Sequence, residues 1–186
     1  MSRFSLNPAP LAGLVTVTRQ PLGDERGSLE RLFCSRELAS AGWLKPVAQI
    51  NLTRTRSRGT VRGMHYQRPP HAEMKLVTCL RGEVHDVVVD IRRGSPTFLR
   101  WHAVHLSATE PQALLIPEGF AHGFQSLTED VELLYCHSEH YAADAEAGLS
   151  PTDPTLDIPW PLPITTISNR DAGHPHVSDL FHGIEP

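Results

Sequence analysis

Between Gly59 and Lys75 the chain gathers side chains of a kind that core strands do not need. Arg62-Gly63-Met64-His65-Tyr66-Gln67 sets a guanidinium, an imidazole, a phenol and an amide within six residues, and Lys75 follows soon after. An imidazole titrates near neutrality, which suits a general base. Alternation along an extended segment puts Arg62 and Met64 on one face, and Val61, Gly63, His65 and Gln67 on the other. Gly63 leaves room for a close approach to the backbone beside His65. These features point to a proton-transfer site with His65 as its base.

The elements around this stretch have to be strands. Sixteen prolines and 13 glycines in 186 residues oppose long helices and favour short strands joined by turns. Strands are expected over 11–19, 28–34, 45–53, 74–80, 83–91, 98–106, 113–116 and 131–137. In the third of these Gln49 and Asn51 share one face, and Ile50 and Leu52 the other. A single short helix is expected over 35–42, with Ser35 as its N-cap and Gly42 as its stop. Beyond Tyr141, Asp153-Pro154, Pro159-Trp160-Pro161 and Leu162-Pro163 forbid regular structure, so this part reads as ordered loop packed by Ile158, Trp160 and Ile164. Residues 1–186 form one all-β domain, an antiparallel barrel or jelly roll whose mouth is a natural ligand pocket.

Composition excludes several functions. A net charge of −4 provides no basic field for nucleic acid, although Arg54, Arg56, Arg58 and Arg62 form a local cluster suited either to phosphates or to a solvated strand edge. No window approaches a membrane span, and Met1 to Leu14 lacks the apolar run of a signal peptide. Cys34, Cys79 and Cys136 are odd in number and match no zinc or redox spacing, which suits a reduced, cytoplasmic setting.

Several blocks occur together and in order: Arg62-Gly63-Met64-His65-Tyr66-Gln67, Lys75-Leu76-Val77, Val89-Asp90-Ile91-Arg92, Ser95-Pro96-Thr97, the run Ile116-Pro117-Glu118-Gly119-Phe120-Ala121-His122-Gly123-Phe124, then Tyr135, Trp160-Pro161 and Ser168-Asn169-Arg170-Asp171. Together they resemble the signature of the dTDP-4-dehydrorhamnose 3,5-epimerases, nucleotide-sugar epimerases of the cupin superfamily. The resemblance runs from about Arg26 to Asp171. It implies a homodimeric cupin-type jelly roll, without metal or cofactor, that exchanges protons at the carbons flanking the C4 ketone of a nucleotide-linked 4-keto-6-deoxy sugar. By the same resemblance His65 is the base, Asp171 its carboxylate partner, Tyr135 the acid on the opposite face of the sugar, and Lys75 the stabiliser of the enolate. Arg62, Gln49, Asn51, Gln67 and His122 line the pocket, and Arg26 reaches the nucleotide, partly across the dimer. Asp86, a carboxylate in a buried-looking strand, is a second pocket or histidine-orienting group.

The chain departs from the family pattern at Ser28-Leu29, Arg31, Glu73 and His140, so the nucleotide, the sugar and the number of carbons inverted stay open. Two other functions compete. A metal cupin would draw ligands from His65, His71, Glu73 and His122, but Gln67 stands where a second metal-binding histidine is usual. A non-catalytic sugar-nucleotide binder would have no use for both His65 and Tyr135.

Overall fold

Alternating strands with one apolar face each are satisfied by stacking two antiparallel sheets. The computed structural model describes residues 2–186. Its strands are β1 (Phe4–Pro8), β2 (Val15–Arg19), β3 (Leu22–Asp24), β4 (Gly27–Leu29), β5 (Gln49–Thr55), β6 (Val61–Gln67), β7 (Lys75–Arg81), β8 (Glu83–Asp90), β9 (Trp101–Ser107), β10 (Gln112–Ile116), β11 (Phe120–Ser126), β12 (Val131–His137) and β13 (Glu146–Gly148). One sheet has the order β1-β2-β10-β7-β12-β5, and the other β13-β6-β11-β8-β9. β3 and β4 form a separate hairpin with every residue exposed. The expected all-β jelly roll is the architecture found.

Three apolar layers hold the sheets. Val77, Leu114 and Leu133 of the first sheet meet Val84, Val88, Leu106 and Phe124 of the second in the layer between them. A second layer covers the outside of the first sheet, where Leu38, Trp43 and Phe33 pack on Val17, Leu76 and Leu115. The third covers the outside of the second sheet with the proline-rich C-terminal stretch, through Leu156, Ile158 and Trp160 against Met64, Val87 and Ala121. That stretch is ordered, as expected, because it is the roof over an apolar sheet face. Ile164 is half-buried and lies outside that cluster.

Several local expectations change. The strand expected over 28–34 ends at Leu29, and the helix expected over 35–42 splits into α1 (Ser35–Leu38) and a 3-10 turn (Ala39–Ala41). Ser35 is the first helical residue rather than the cap. Cys34 occupies the cap position and offers no side-chain bond. Gly42 does end the element, at φ 94°. A second short helix, α2 (Asn169–Ala172), is capped by the Ser168 hydroxyl, which accepts from the Asp171 N–H at 3.0 Å.

The face assignment in β6 needs correction. Arg62 and His65 reach the same cavity, whereas Met64 is buried in the outer layer beneath the C-terminal stretch. Strict alternation fails because the β6–β11 register shifts between His122 and Phe124, where Gly63 and Gly123 lie against each other. At Gly63, φ is +124°, and a Cβ would sit 2.5 Å from Gly123 Cα and 2.7 Å from the His122 carbonyl oxygen. Neither obstacle is a flexible side chain. Gly63→Ala should therefore lower the unfolding free energy by about 3 kcal/mol, read as a lower urea midpoint at unchanged slope.

Candidate active site

At one end of the sandwich the inward-facing rows turn from apolar to polar. On the first sheet Gln49, His137 and Lys75 are direct cross-strand neighbours, and Asn51, Tyr135 and Val77 form the next row inward. On the second sheet His65 stands opposite His122. Because pleated strands alternate, both rows look into the space between the sheets. The resulting cavity, about 290 Å³, is lined by the expected Gln49, Asn51, Arg62, His65, Gln67, Lys75, His122 and Tyr135.

His65 projects from β6, and its Nε2 lies 2.9 Å from Asp171 Oδ1. Asp171 is only 2% exposed, and its Oδ2 accepts from the Gly63 N–H at 3.1 Å. Burial opposes charge on this carboxyl, but the bonds from His65 and Gly63 outweigh it and hold Asp171 well below the usual carboxylate range. An ionised Asp171 makes Nε2 the protonated nitrogen. Nδ1 is then the lone-pair nitrogen, the logic of the histidine–aspartate half of a catalytic triad with the two ring nitrogens exchanged. Arg170, next in sequence, brings Nη2 to 3.3 Å from His65 Nε2 and Nε to 3.3 Å from Asp171 Oδ1, and is itself held by Glu146 at 3.0 Å.

Tyr135 reaches the cavity from the opposite wall. Burial, reinforced by the negative charge of Asp86, pushes its phenol far up, so it stays protonated at neutral pH. His122 packs edge-on to it at 5.9 Å, and His137 stacks on it at 5.8 Å. Lys75 is 6% exposed, with Nζ 3.4 Å from the His65 carbonyl oxygen and 3.3 Å from Glu73 Oε1. The ammonium is thus fixed between the two walls.

Three expected residues behave differently. Asp86 is fully buried behind His122, with both carboxylate oxygens 2.9 Å from His122 Nε2; it orients that histidine and does not line the cavity. Gln67 forms part of the wall, but its amide is engaged by the carbonyls of His71 and His140 and the Ala142 N–H, which ties the neighbouring loops together. Arg26 lies on the exposed β3–β4 hairpin, ion-paired to Asp24 at 2.5 Å and away from the cavity. The arginine cluster also divides. Arg62 faces the cavity and bonds Thr55 Oγ1 at 3.0 Å, whereas Arg54 pairs with Glu132 and Arg58 caps the Leu127 carbonyl.

His137, Thr53, Tyr141, Glu146 and Arg170 also line the cavity without having been expected there, as does Glu73, which the sequence offers only as a metal ligand. Parity alone could have found two of them: Thr53 continues the Gln49–Asn51 face, and His137 stands two residues after Tyr135. As for a metal, Glu73 is committed to Lys75 and His137, and His122 to Asp86, so the set His65, His71, Glu73 and His122 does not converge. His65, Asp171 and His174 bring ligand atoms within 4.8 Å of one another, but the Arg170 guanidinium already contacts two of them and a divalent ion would meet its charge.

A family model described as dTDP-4-dehydrorhamnose 3,5-epimerase matches residues 8–179. The chain is 38% identical over 177 residues to a dTDP-4-dehydrorhamnose 3,5-epimerase of Streptomyces griseus, spanning 94% of this chain and 88% of the relative. It is 37% identical over 167 residues to a dTDP-4-dehydrorhamnose 3-epimerase of Streptomyces niveus, spanning 89% and 80%. The crystal structure of a dTDP-6-deoxy-D-glucose-3,5-epimerase from Legionella pneumophila in complex with dTDP-4-keto-L-rhamnose superposes with a TM-score of 0.87 at 35% identity, covering 93% of this chain and 92% of that one.

The depressed Asp171 gives a test that needs no substrate. A carboxyl whose folded value lies below its ordinary 3.8 contributes stability that is fully present above that pH and is lost as pH falls through the folded value. The Tm difference between the native chain and Asp171→Asn should accordingly be present at about pH 5 and shrink towards about pH 2. A difference independent of pH would remove the carboxylate's charge from the account.

Proposed function

Because the chain belongs to the dTDP-4-dehydrorhamnose 3,5-epimerase family, we propose that its cavity epimerises a nucleotide-linked 4-keto-6-deoxy sugar at carbons flanking the ketone. The protein is an isomerase of the nucleotide-sugar epimerase type. The observation that carries the assignment of roles is the placement of His65 and Tyr135 on opposite walls of one cavity, with the Lys75 ammonium between them.

The chemistry follows from that arrangement. His65 Nδ1 takes the proton from a C–H beside the ketone, and the bonding pair moves into an enolate whose charge rests on the ketone oxygen. Lys75 meets that charge, and one preorganised donor of this kind lowers such a barrier by about 3–4 kcal/mol. Asp171 favours the imidazolium that forms. Tyr135 then gives its phenolic proton to the same carbon from the other face, the carbon is inverted, and the tyrosinate and imidazolium are reset by exchange with solvent. Even with its acidity weakened by burial, the phenol is a far stronger acid than the C–H it replaces, so delivery runs downhill. No step calls for a cofactor.

Gln49, Asn51 and Arg62 are proposed to hold the substrate's oxygens, with His122 as a wall residue set by Asp86. Inversion at a single carbon is the second reading, favoured by the likeness to a 3-epimerase. We place the enzyme in the cytoplasm: its three cysteines are free, and no helix among the described residues is long and apolar enough to cross a membrane. A homodimer is proposed from Ile50 and Leu52, which are 61% and 46% exposed on the outer face of β5 beside Leu134. A partner seated there would give the exposed β3–β4 hairpin, with Arg26, a second subunit to reach.

With a dTDP-linked 4-keto-6-deoxy sugar in D2O, the native enzyme should place deuterium at the inverted carbons, and His65→Ala should abolish exchange at every carbon. Tyr135→Phe should keep some exchange and lose inversion; wild-type inversion in that variant would remove Tyr135 from the mechanism. Light scattering should give twice the chain mass, and Leu52→Glu should reduce it to that of one chain.

A further inference from the structure

Glu73 and His137 have no part in the proton transfers above, yet both are about nine-tenths buried and both face the cavity. They belong to a continuous chain of polar contacts. Lys75 Nζ lies 3.3 Å from Glu73 Oε1, and Glu73 Oε2 lies 2.8 Å from His137 Nδ1. His137 Nε2 lies 3.5 Å from Asn51 Nδ2, the longest link. Gln49 Nε2 donates to Asn51 Oδ1 at 3.1 Å, and Gln49 Oε1 accepts from the Tyr141 N–H at 3.1 Å.

Both ends of this chain have a fixed sense. A backbone N–H can only donate, and an ionised carboxylate can only accept. Glu73 is ionised: burial resists the charge, but Lys75 and His137 hold the carboxyl below its usual range. Every link between the two ends therefore runs one way. Nδ1–H of His137 donates to Glu73, Nε2 accepts from the Asn51 amide, and Asn51 Oδ1 accepts from Gln49. Each amide retains one N–H uncommitted, in the same cavity lining as Lys75. The wall facing His65 is left as a row of donors, suited to acceptor oxygens of a ketone, a hydroxyl or a glycosyl phosphate.

We propose that His137, fixed by Glu73, is a positioning residue that sets the Asn51–Gln49 amides in their donor orientation and so determines which oxygens the pocket binds. The inference rests on the epimerase reading for the identity of the ligand, but not for the sense of the hydrogen-bond chain. Glu73→Gln tests it with little change of shape. A glutamine has one acceptor oxygen, which the Lys75 ammonium takes, and its NH2 then faces His137 Nδ1. The imidazole proton must move to Nε2, Asn51 must turn over, and Gln49 loses either its acceptor or its bond from Tyr141.

Two measurements read this out. Under mildly alkaline conditions, 15N–1H correlation spectra of the imidazoles should show His137 as the Nδ1–H tautomer in the native protein and as Nε2–H in Glu73→Gln. With a dTDP-linked 4-keto-6-deoxy sugar, KM for Glu73→Gln should rise about tenfold, the loss of one or two hydrogen bonds, with kcat altered far less. An Nε2–H tautomer in the native protein, an unchanged tautomer in the variant, or an unchanged KM would each overturn the proposal. Failure of the epimerase reading is recognised separately, as a native protein that exchanges no carbon-bound proton on any such sugar while the tautomer result stands.

Discussion

One carboxylate joins the scaffold to the chemistry. Asp171 sits on the four-residue helix α2, buried to 2% exposure, and accepts simultaneously from the His65 imidazole and the Gly63 backbone N–H. The Gly63 bond docks the C-terminal stretch onto β6 at the irregular point where two glycines touch. The bond to His65 fixes which nitrogen carries the proton. A buried charge of this kind is tolerable only because each of its oxygens has a partner. If either bond failed, the carboxylate would be left with an unpaid desolvation cost and the imidazole would be free to change tautomer.

The rest of the cavity follows the same logic on a larger scale. Apolar layers between and outside the sheets fix the walls, and at one end the inner rows exchange valines and leucines for ionisable groups whose partners are all in reach. Asp86 holds His122, Glu73 holds Lys75 and His137, and Glu146 holds Arg170. Opposite charges are interleaved, and the cavity cations Arg62, Lys75 and Arg170 each have a counter-charge or a carbonyl. Preorganisation of this sort keeps donors aimed at the developing charge before the substrate arrives.

Much of this was legible from residue order because local physics set it. Turn residues bound the strands, alternation separates Gln49 and Asn51 from Ile50 and Leu52, the resemblance assigns the first pair to the pocket they line, and prolines mark the stretch beyond Tyr141 as ordered loop. The Arg62–His65 relation was misread because a register shift defeats counting by twos, and that shift depends on the contact with Gly123 sixty residues away. Ser35 is not the cap because α1 begins one residue earlier than the serine suggests, with Cys34 at the cap position. The pairings Asp86–His122 and Glu73–His137 join residues 36 and 64 positions apart, and no periodicity reports such partners.

The separation between His65 and its carboxylate also matters while the protein is being made. Among the described residues all thirteen strands lie before residue 149, whereas Asp171 comes 106 positions after the imidazole it contacts. As the polypeptide leaves the ribosome, both sheets are complete in sequence before the oriented base exists. A fragment ending ahead of α2 would carry the whole pocket lining up to Glu146 and still lack the group that tells His65 where to keep its proton. Under the proposed mechanism, turnover certifies that translation has passed residue 171.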